Sequence, residues 1–564
     1  MASELDLKLQ ALIAQLNGPG GMLELGSIRR FGQDLPMITA APPTLPAYIE
    51  QFGQMHGAAD FLVDGELRLT FAQTLALGRR LARGLMARGI GKGDHVGIAA
   101  RNSAGYVIAY VGVLMAGGCV ALLNGWWSAE ELADGVTLAE CKLVLADPDR
   151  AKRLAPLNLS SEIVVFEHGD PEQGLGALLA APDDATPFPE ISPDDKATIL
   201  YTSGSTGLSK AALSDHRAVV QATANYLGQT MAALMLMQAK GESAAYQPCS
   251  LVCVPLFHVT AEVPLFLQSF AMGRKLVLMP KWDAREAMRL IEKERVTYFV
   301  GVPLMSYEMA THPDRAQFDM TSCAHYAAGG APRPVSHVEA IRKAFPTSFP
   351  LLGYGLTETN GVGCGNVNEN YLAKPGSTGP ASRPLVDLAI LDDAGKPLPQ
   401  GSTGEVSIRT ICNIREYYRN PEATAAAFTA DGYFLTGDLG YLDEDGYLFI
   451  VDRKKDIVIR GGENIACAEV EAAIYAHPDV AECCVFGLPH ARFGEVPVAV
   501  YVASEGKTLG EDALRDYLKA RIAGFKVPEK FWQADTPLPR LGTEKVDRRA
   551  VKAHYAAMWD GAAG

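Results

Sequence analysis

Short stretches far apart in the chain carry the side chains that could do chemistry. The first is LYTSGSTGLSKAALSDH, Leu200 to His216, where Thr202, Ser203, Gly204, Ser205, Thr206 and Gly207 follow an apolar lead-in and Lys210 comes shortly after. Serial small residues let several backbone N–H groups face one concavity, and such nests bind anions. The hydroxyls can donate to phosphate oxygens, and Lys210 adds a movable cation. The stretch therefore reads as a polyphosphate cradle, and taken alone it reads equally well as a flexible Ser/Gly surface loop. It is not the G-x-x-x-x-G-K-[ST] loop of many nucleotide hydrolases, because Ala211, not a hydroxyl residue, follows Lys210.

Further stretches complement the first. In LLGYGLTETNG (351–361), Glu358 stands between two threonines after the glycine-flanked Tyr354. A single carboxylate can serve as a Mg2+ ligand when phosphates supply the other oxygens. In GYFLTGDLGYLDEDGYLFIVDRKKD (432–456), Asp438 follows a Thr-Gly turn and Arg453 closes a strand-like run. An aspartate can accept from ribose hydroxyls, and an arginine can bridge to phosphate. Lys545 sits on a loop within LPRLGTEKVDRR (538–549), and His258 lies in VPLFHVTA (254–261). Each has a plainer reading on its own: Tyr354 and His258 as core, Asp438 as a turn cap, Glu358 and Lys545 as surface. Their joint order carries the chemical reading.

The elements that must position these groups alternate strand-like and helical patterns up to about residue 450, the mark of α/β layering. Strands are expected at 95–100, 143–147, 162–167, 275–280 and 297–303, and a helix over 71–89 with a closing glycine. Residues 174–195, rich in Pro and Asp, read as a surface connection. Near residue 452 the texture changes: from Asp443 on it reads as a hairpin, a charged run Asp452-Arg453-Lys454-Lys455-Asp456, a strand, a Gly461-Gly462 turn and a helix. We expect a large multi-layer α/β unit over 1–452 and a small mobile α+β unit over 453–564, with the charged run as hinge or, as charge runs often are, a solvated turn.

The chain has 564 residues, too many for one compact core. Its net charge of −14 speaks against bulk nucleic-acid binding. The ten cysteines are scattered without a CxxC pair, so reduced thiols and a cytoplasmic location are expected. The N-terminus reads as an amphipathic helix without a signal pattern. An uncharged run from Asn102 to Ser128 is long enough to span a bilayer, but Gly117-Gly118 divide it. Buried helix, turn and buried strand is the expected reading, with no integral membrane span.

These motifs, in this order and over nearly the whole chain, resemble the adenylate-forming superfamily of acyl-CoA synthetases, luciferases and peptide-synthetase adenylation domains. The nearest likeness is to fatty-acid and aryl-acid CoA ligases. The resemblance implies two half-reactions. A carboxylate attacks the α-phosphate of ATP to give acyl-AMP and pyrophosphate; the small unit then rotates, and the thiol of coenzyme A takes the acyl group as AMP leaves. It implies that Thr202 to Gly207 and Lys210 wrap the phosphates and that Glu358 holds Mg2+. Tyr354 would stack on adenine opposite Gly329, Gly330 and Ala331, with Gly355 and Thr357 in the same motif as Tyr354. Asp438 would bind ribose, with Arg453 supporting ribose or phosphate, and Lys545 would contact the carboxylate and α-phosphate. Lys455 would be the hinge, Gly461 and Gly462 would line the thiol's approach, and His258 would gate it.

The chain departs from the family pattern in places. Ser209 and Ala211 replace a Pro and a Gly around Lys210, Glu544 replaces a Gly before Lys545, and Cys467 replaces a Pro. A carboxylate at 544 could steady Lys545 or compete for it. No aspartate pairs a substrate ammonium near His258, so a free fatty, aryl or alicyclic acid is expected. Partners implied are ATP, that acid and CoA, with room for a homodimer. A carrier-protein acceptor and a catalytically decayed nucleotide-binding scaffold are the alternatives.

Overall fold

Strands of Val, Leu, Ile and Ala with no charged residue, such as Leu143–Ala146 and Cys119–Leu122, are buried on both faces and stack as parallel sheet. A computed structural model describes residues 3–166, 174–179, 186–203, 209–241, 245–542 and 544–559. Among them, one seven-stranded sheet runs Glu416–Tyr417, Ser209–Asp215, Lys196–Ser203, Cys119–Leu122, His95–Ala99, Leu143–Ala146, Glu162–Val165. An eight-stranded sheet runs Gly363–Asn366, Phe349–Gly355, His325–Gly329, Tyr298–Gly301, Cys249–Val252, Lys275–Leu278, Asp60–Asp64, Leu67–Thr70. Both are parallel at the centre and antiparallel at an edge.

The run Asn102–Ser128 resolves as expected, into helix Ala104–Met115 and strand Cys119–Leu122. Every residue of that helix is buried, which accounts for its lack of charge. Helix Phe71–Ala87 packs against it, so the pair forms a layer between the two sheets. No helix among the described residues is long and apolar enough to cross a membrane. The ten cysteines are free and buried. The N-terminal helix Glu4–Asn17 forms with Ser3 as its cap, and the connection 174–195 lies partly outside the described residues.

Two features were not expected from sequence. Leu25–Arg30 pairs with Gln33–Ile38 as an isolated hairpin. A four-stranded antiparallel sheet joins Val386–Leu391, Gly404–Thr410, Phe434–Leu442 and Leu448–Arg453. The segment beyond follows the anticipated order: a 3-10 turn Lys454–Asp456, strand Val458–Arg460, turn, strand Glu463–Ile465 and helix Cys467–Tyr475. With Val480–His490, Gly494–Ala503 and Lys530–Gln533 it builds a five-stranded sheet. Val458, Ile465, Val485, Leu514 and Phe531 belong to a core of its own.

Candidate active site

The glycine- and hydroxyl-rich stretch joins two antiparallel strands, Lys196–Ser203 and Ser209–Asp215, with Thr202 opposite Lys210. Gly204, Ser205, Thr206 and Gly207, and the side chain of Ser203, lie outside the described residues. Lys210 is placed by the strand so that its Nζ stands 4.5 Å from the centre of the Tyr417 ring. The Tyr417 hydroxyl donates to Glu358 Oε1 at 2.7 Å. Burial, then the Glu358 charge, raises the phenol's pKa and keeps it a donor. Glu358 is buried in a 3-10 turn, and its carbonyl accepts from Ile414 N at 2.8 Å. Asn360, two residues on, adopts the left-handed conformation (φ 50) and donates to Cys412 O at 2.7 Å. Lys210 and Glu358 are thus brought into one place by Tyr417, which sequence reading did not single out.

Glu358 is a lone carboxylate, and no cluster of three His, Cys, Asp or Glu among the described residues could hold a metal ion. A cation here would need its remaining oxygens from a bound phosphate, the donor set Mg2+ favours.

A second group lies on the four-stranded sheet. Asp438 and Arg453 face each other across the hairpin, and Arg453 Nε stands 2.7 Å from Asp438 Oδ1. Asp438 Oδ2 accepts from the Tyr354 hydroxyl at 2.6 Å, and Asp438 N donates to Thr436 Oγ1 at 3.0 Å. Burial raises the Asp438 pKa, against the opposing pull of Arg453. Tyr354 is therefore held edge-on by the carboxylate expected to take the ribose. Gly355 follows it at a crowded point: a Cβ built there would stand 2.1 Å from Gly361 O. Thr357 opens the 3-10 turn that carries Glu358.

The third group joins the two units. Strand His325–Gly329 delivers Gly329, Gly330 and Ala331 at its end, with Gly329 paired to Gly353. The side chain of Lys545, from the small unit, lies over Gly330. A Cβ on Gly330 would meet Lys545 Nζ at 2.7 Å and His258 Cε1 at 4.0 Å. Gly330 also has a φ of 76, which a side chain would strain. Gly330→Ala is therefore expected to displace Lys545 and to lower the rate of acyl-AMP formation at least tenfold, read by acid-dependent pyrophosphate exchange.

Burial against the large unit, and then the charge of Arg453, lowers the Lys545 pKa to about 8. His258 caps the following helix, with Nδ1 accepting from Thr260 N at 3.2 Å. Burial, then the Lys545 charge, lowers its pKa to about 3, so it is a neutral imidazole at physiological pH. The Lys545 loop is a tight hairpin closed by Leu541 N to Lys545 O at 2.8 Å. Glu544 takes the left-handed position of this hairpin, with φ 62. A glycine would sit there without strain, which explains the residue expected from the family. Burial raises the Glu544 pKa, and the cations acting on it are Arg540 and Lys281.

Asn102, also unanticipated, supports His258 from below. Its amide donates to Val252 O at 3.1 Å and Val254 O at 3.0 Å, and its oxygen accepts from Leu256 N at 2.8 Å. Lys455 is exposed in the 3-10 turn between the units. Gly461 and Gly462 form an exposed turn of the small unit, with Gly461 N donating to Phe493 O at 2.8 Å. Among the described residues, no hydrogen bond or ion pair ties these three to Lys545.

Comparison with known proteins gives the family. The model of the AMP-binding enzyme family matches residues 49–418, and that of the AMP-binding enzyme C-terminal domain matches 469–545. A long-chain-fatty-acid–CoA ligase of Mycobacterium tuberculosis, FadD13, is 31% identical over 94% of this chain and 99% of its own. A feruloyl-CoA synthase of Amycolatopsis is 32% identical over 87% of this chain and 95% of its own. The crystal structure of ATP-bound MatB from Rhodopseudomonas palustris superposes with a TM-score of 0.79 at 28% identity, covering 92% of this chain and all of that one. The chain belongs to the AMP-binding enzyme family. It is an AMP-forming acid–thiol ligase, which activates a carboxylic acid with ATP and passes the acyl group to CoA.

Proposed function

We propose that this ligase uses one orientation of its small unit for adenylation and another for thioester formation, with the division near residues 452 and 453. The observation that carries the reading is Lys545, on the small unit, lying over Gly330 beside His258. A substrate carboxylate oxygen attacks the α-phosphorus, and the bond to pyrophosphate breaks. Charge develops at the α-phosphate, and the Lys545 ammonium is placed to stabilise it. Asp438 would accept from the ribose hydroxyls, releasing Tyr354 to stack on adenine, and Arg453 would bind ribose or phosphate. Thr202 to Gly207 and Lys210 would hold the outer phosphates. Glu358 would hold Mg2+, which supplies charge neutralisation at the leaving pyrophosphate. The small unit then turns about Lys455 and withdraws Lys545. Gly461 and Gly462 would line the approach of the CoA thiol, and neutral His258 would stand where it enters.

The acid is proposed to be fatty or aryl, as FadD13 and feruloyl-CoA synthase are named for such acids.

The lowered Lys545 pKa gives a pH test. A free lysine titrates near pH 10.4, and here the ammonium is lost as pH rises through about 8. Because kcat/KM reports groups of the free enzyme, kcat/KM for acid-dependent pyrophosphate exchange is expected to fall above about pH 8. A profile level to pH ~10 would contradict the role given to the ammonium.

A further inference from the structure

The hairpin that carries Lys545 meets the large unit at a second place, the ring of Trp126. Gly542, three residues before Lys545, lies against it. A Cβ on Gly542 would stand 2.2 Å from Trp126 Cδ1, 2.3 Å from Cγ and 2.5 Å from Cβ. The backbone does not itself ask for glycine at 542, because its φ lies outside the left-handed region. The contact with the indole does.

Trp126 stands in the loop between strand Cys119–Leu122 and helix Ala129–Leu138, and the large unit braces it. Its N–H donates to Asn124 Oδ1 at 2.9 Å, and the carbonyl before it, Gly125 O, accepts from Arg150 Nε at 2.6 Å. The guanidinium carbons of Arg101 and Arg150 stand 5.3 and 5.5 Å from the centre of its ring, within cation–π range. Arg150 has no exposed surface and is fixed by Asp147, with Nη1 3.2 Å from Oδ2. Beside this contact, Glu544 of the hairpin and Lys281 of the large unit line a space of about 20 Å3, room for a single water. The Lys281 charge acts on the Glu544 carboxylate across it. The hairpin is thus closely fitted to the large unit, and opposite charges flank the fit.

We propose that Trp126, braced by Arg101 and Arg150, is the seat that registers the Lys545 hairpin on the large unit, and that it is a positioning residue for the adenylation half-reaction alone. This rests on the two-orientation reading above. Lys545 O accepts from Leu541 N and Leu541 O from Glu544 N, both at 2.8 Å, so the hairpin moves as one piece. A displacement at Gly542 is therefore carried to the Lys545 ammonium. Carbon atoms pack about 3.5–4.0 Å apart, so a methyl at 542 has to lift the hairpin by more than ~1 Å. A misplacement of that size costs about 10²-fold when reacting groups must meet. In the other orientation the hairpin has left Trp126, and the same methyl no longer meets the ring.

The test separates the half-reactions in Gly542→Ala, Trp126→Ala and the double variant. Trp126 is 36% exposed even with the hairpin in place, so its truncation spares the core of the large unit. Pyrophosphate exchange reads the first step, and acyl-CoA formed from synthetic acyl-AMP and CoA reads the second. Exchange is expected to fall about 10–10²-fold in Gly542→Ala and about tenfold in Trp126→Ala, in kcat more than in KM, with the second step within about twofold of wild type. The double variant is expected to lose less than the product of the two, because both changes act on one contact and Trp126→Ala removes Cδ1 and Cγ from the path of the new methyl. Wild-type exchange in both single variants, equal loss of both steps, or losses that simply multiply overturn the proposal and leave the ligase standing. Equal loss of both steps in Lys545→Ala, measured alongside, overturns the two-orientation reading and this inference with it.

Discussion

Lys545→Ala is expected to lower acyl-AMP formation about 10²–10³-fold while leaving most of the thioester step intact when acyl-AMP is supplied directly. That range is what removal of one preorganised donor from a developing oxyanion costs. The expectation follows from where the charge sits. Lys545 contributes its ammonium to the large unit's site from a hairpin of the small one. In the proposed two-orientation cycle, acyl transfer from AMP to a thiol places new charge at the acyl carbonyl after the hairpin has withdrawn. Pyrophosphate exchange reads the first step, and acyl-CoA formed from synthetic acyl-AMP and CoA reads the second. Equal loss of both would end the division of labour proposed for the two orientations.

Lys455→Pro is the mirror experiment. Lys455 lies within the 3-10 turn Lys454–Asp456, and a 3-10 turn uses φ near −50 to −70°. Proline locks φ near −65°, within that range, so it blocks a turn about this residue; its ring also presses Lys454 away from the helical region, a local cost to the present orientation. Acyl-AMP formation is expected to stay within a few-fold of wild type. Thioester formation is expected to drop about 10²-fold, the scale of loss when reacting groups fail to meet in the right geometry. A variant that loses adenylation instead would place the pivot elsewhere.

Much of this site was legible because its chemistry is written in local sequence. The hairpin that carries Arg453 and the Gly461–Gly462 turn took the forms that their sequence suggested. The uncharged run after Asn102 was readable too, since a helix buried all round and a buried strand leave no position for a charge. What stayed hidden depends on contacts across the fold. Tyr417 holds Glu358 from 59 residues away, and Asn102 braces the His258 loop from 150 residues away. Neither residue stands in a patterned stretch. Glu544 looked like a departure that could disturb Lys545; its left-handed φ accounts for the usual glycine, and the charges that act on its carboxylate belong to Arg540 and Lys281. The hairpin Leu25–Ile38 and the strands Val386–Leu391 and Gly404–Thr410 went unnoticed because short strands such as Leu25–Arg30 are half-exposed and carry charge, which reads as loop.

The central claim is that this chain makes an acyl-CoA from an acid, ATP and CoA with AMP as the second product. The most direct measurement is mass spectrometry of pure protein with ATP, Mg2+ and a panel of aliphatic, aryl and alicyclic acids, each with and without CoA. The account predicts AMP and acyl-CoA in equal amounts for a selected subset of acids, with the thioester wholly dependent on CoA. Acyl-AMP and pyrophosphate without any thioester, or no AMP from any acid on the panel, would contradict it.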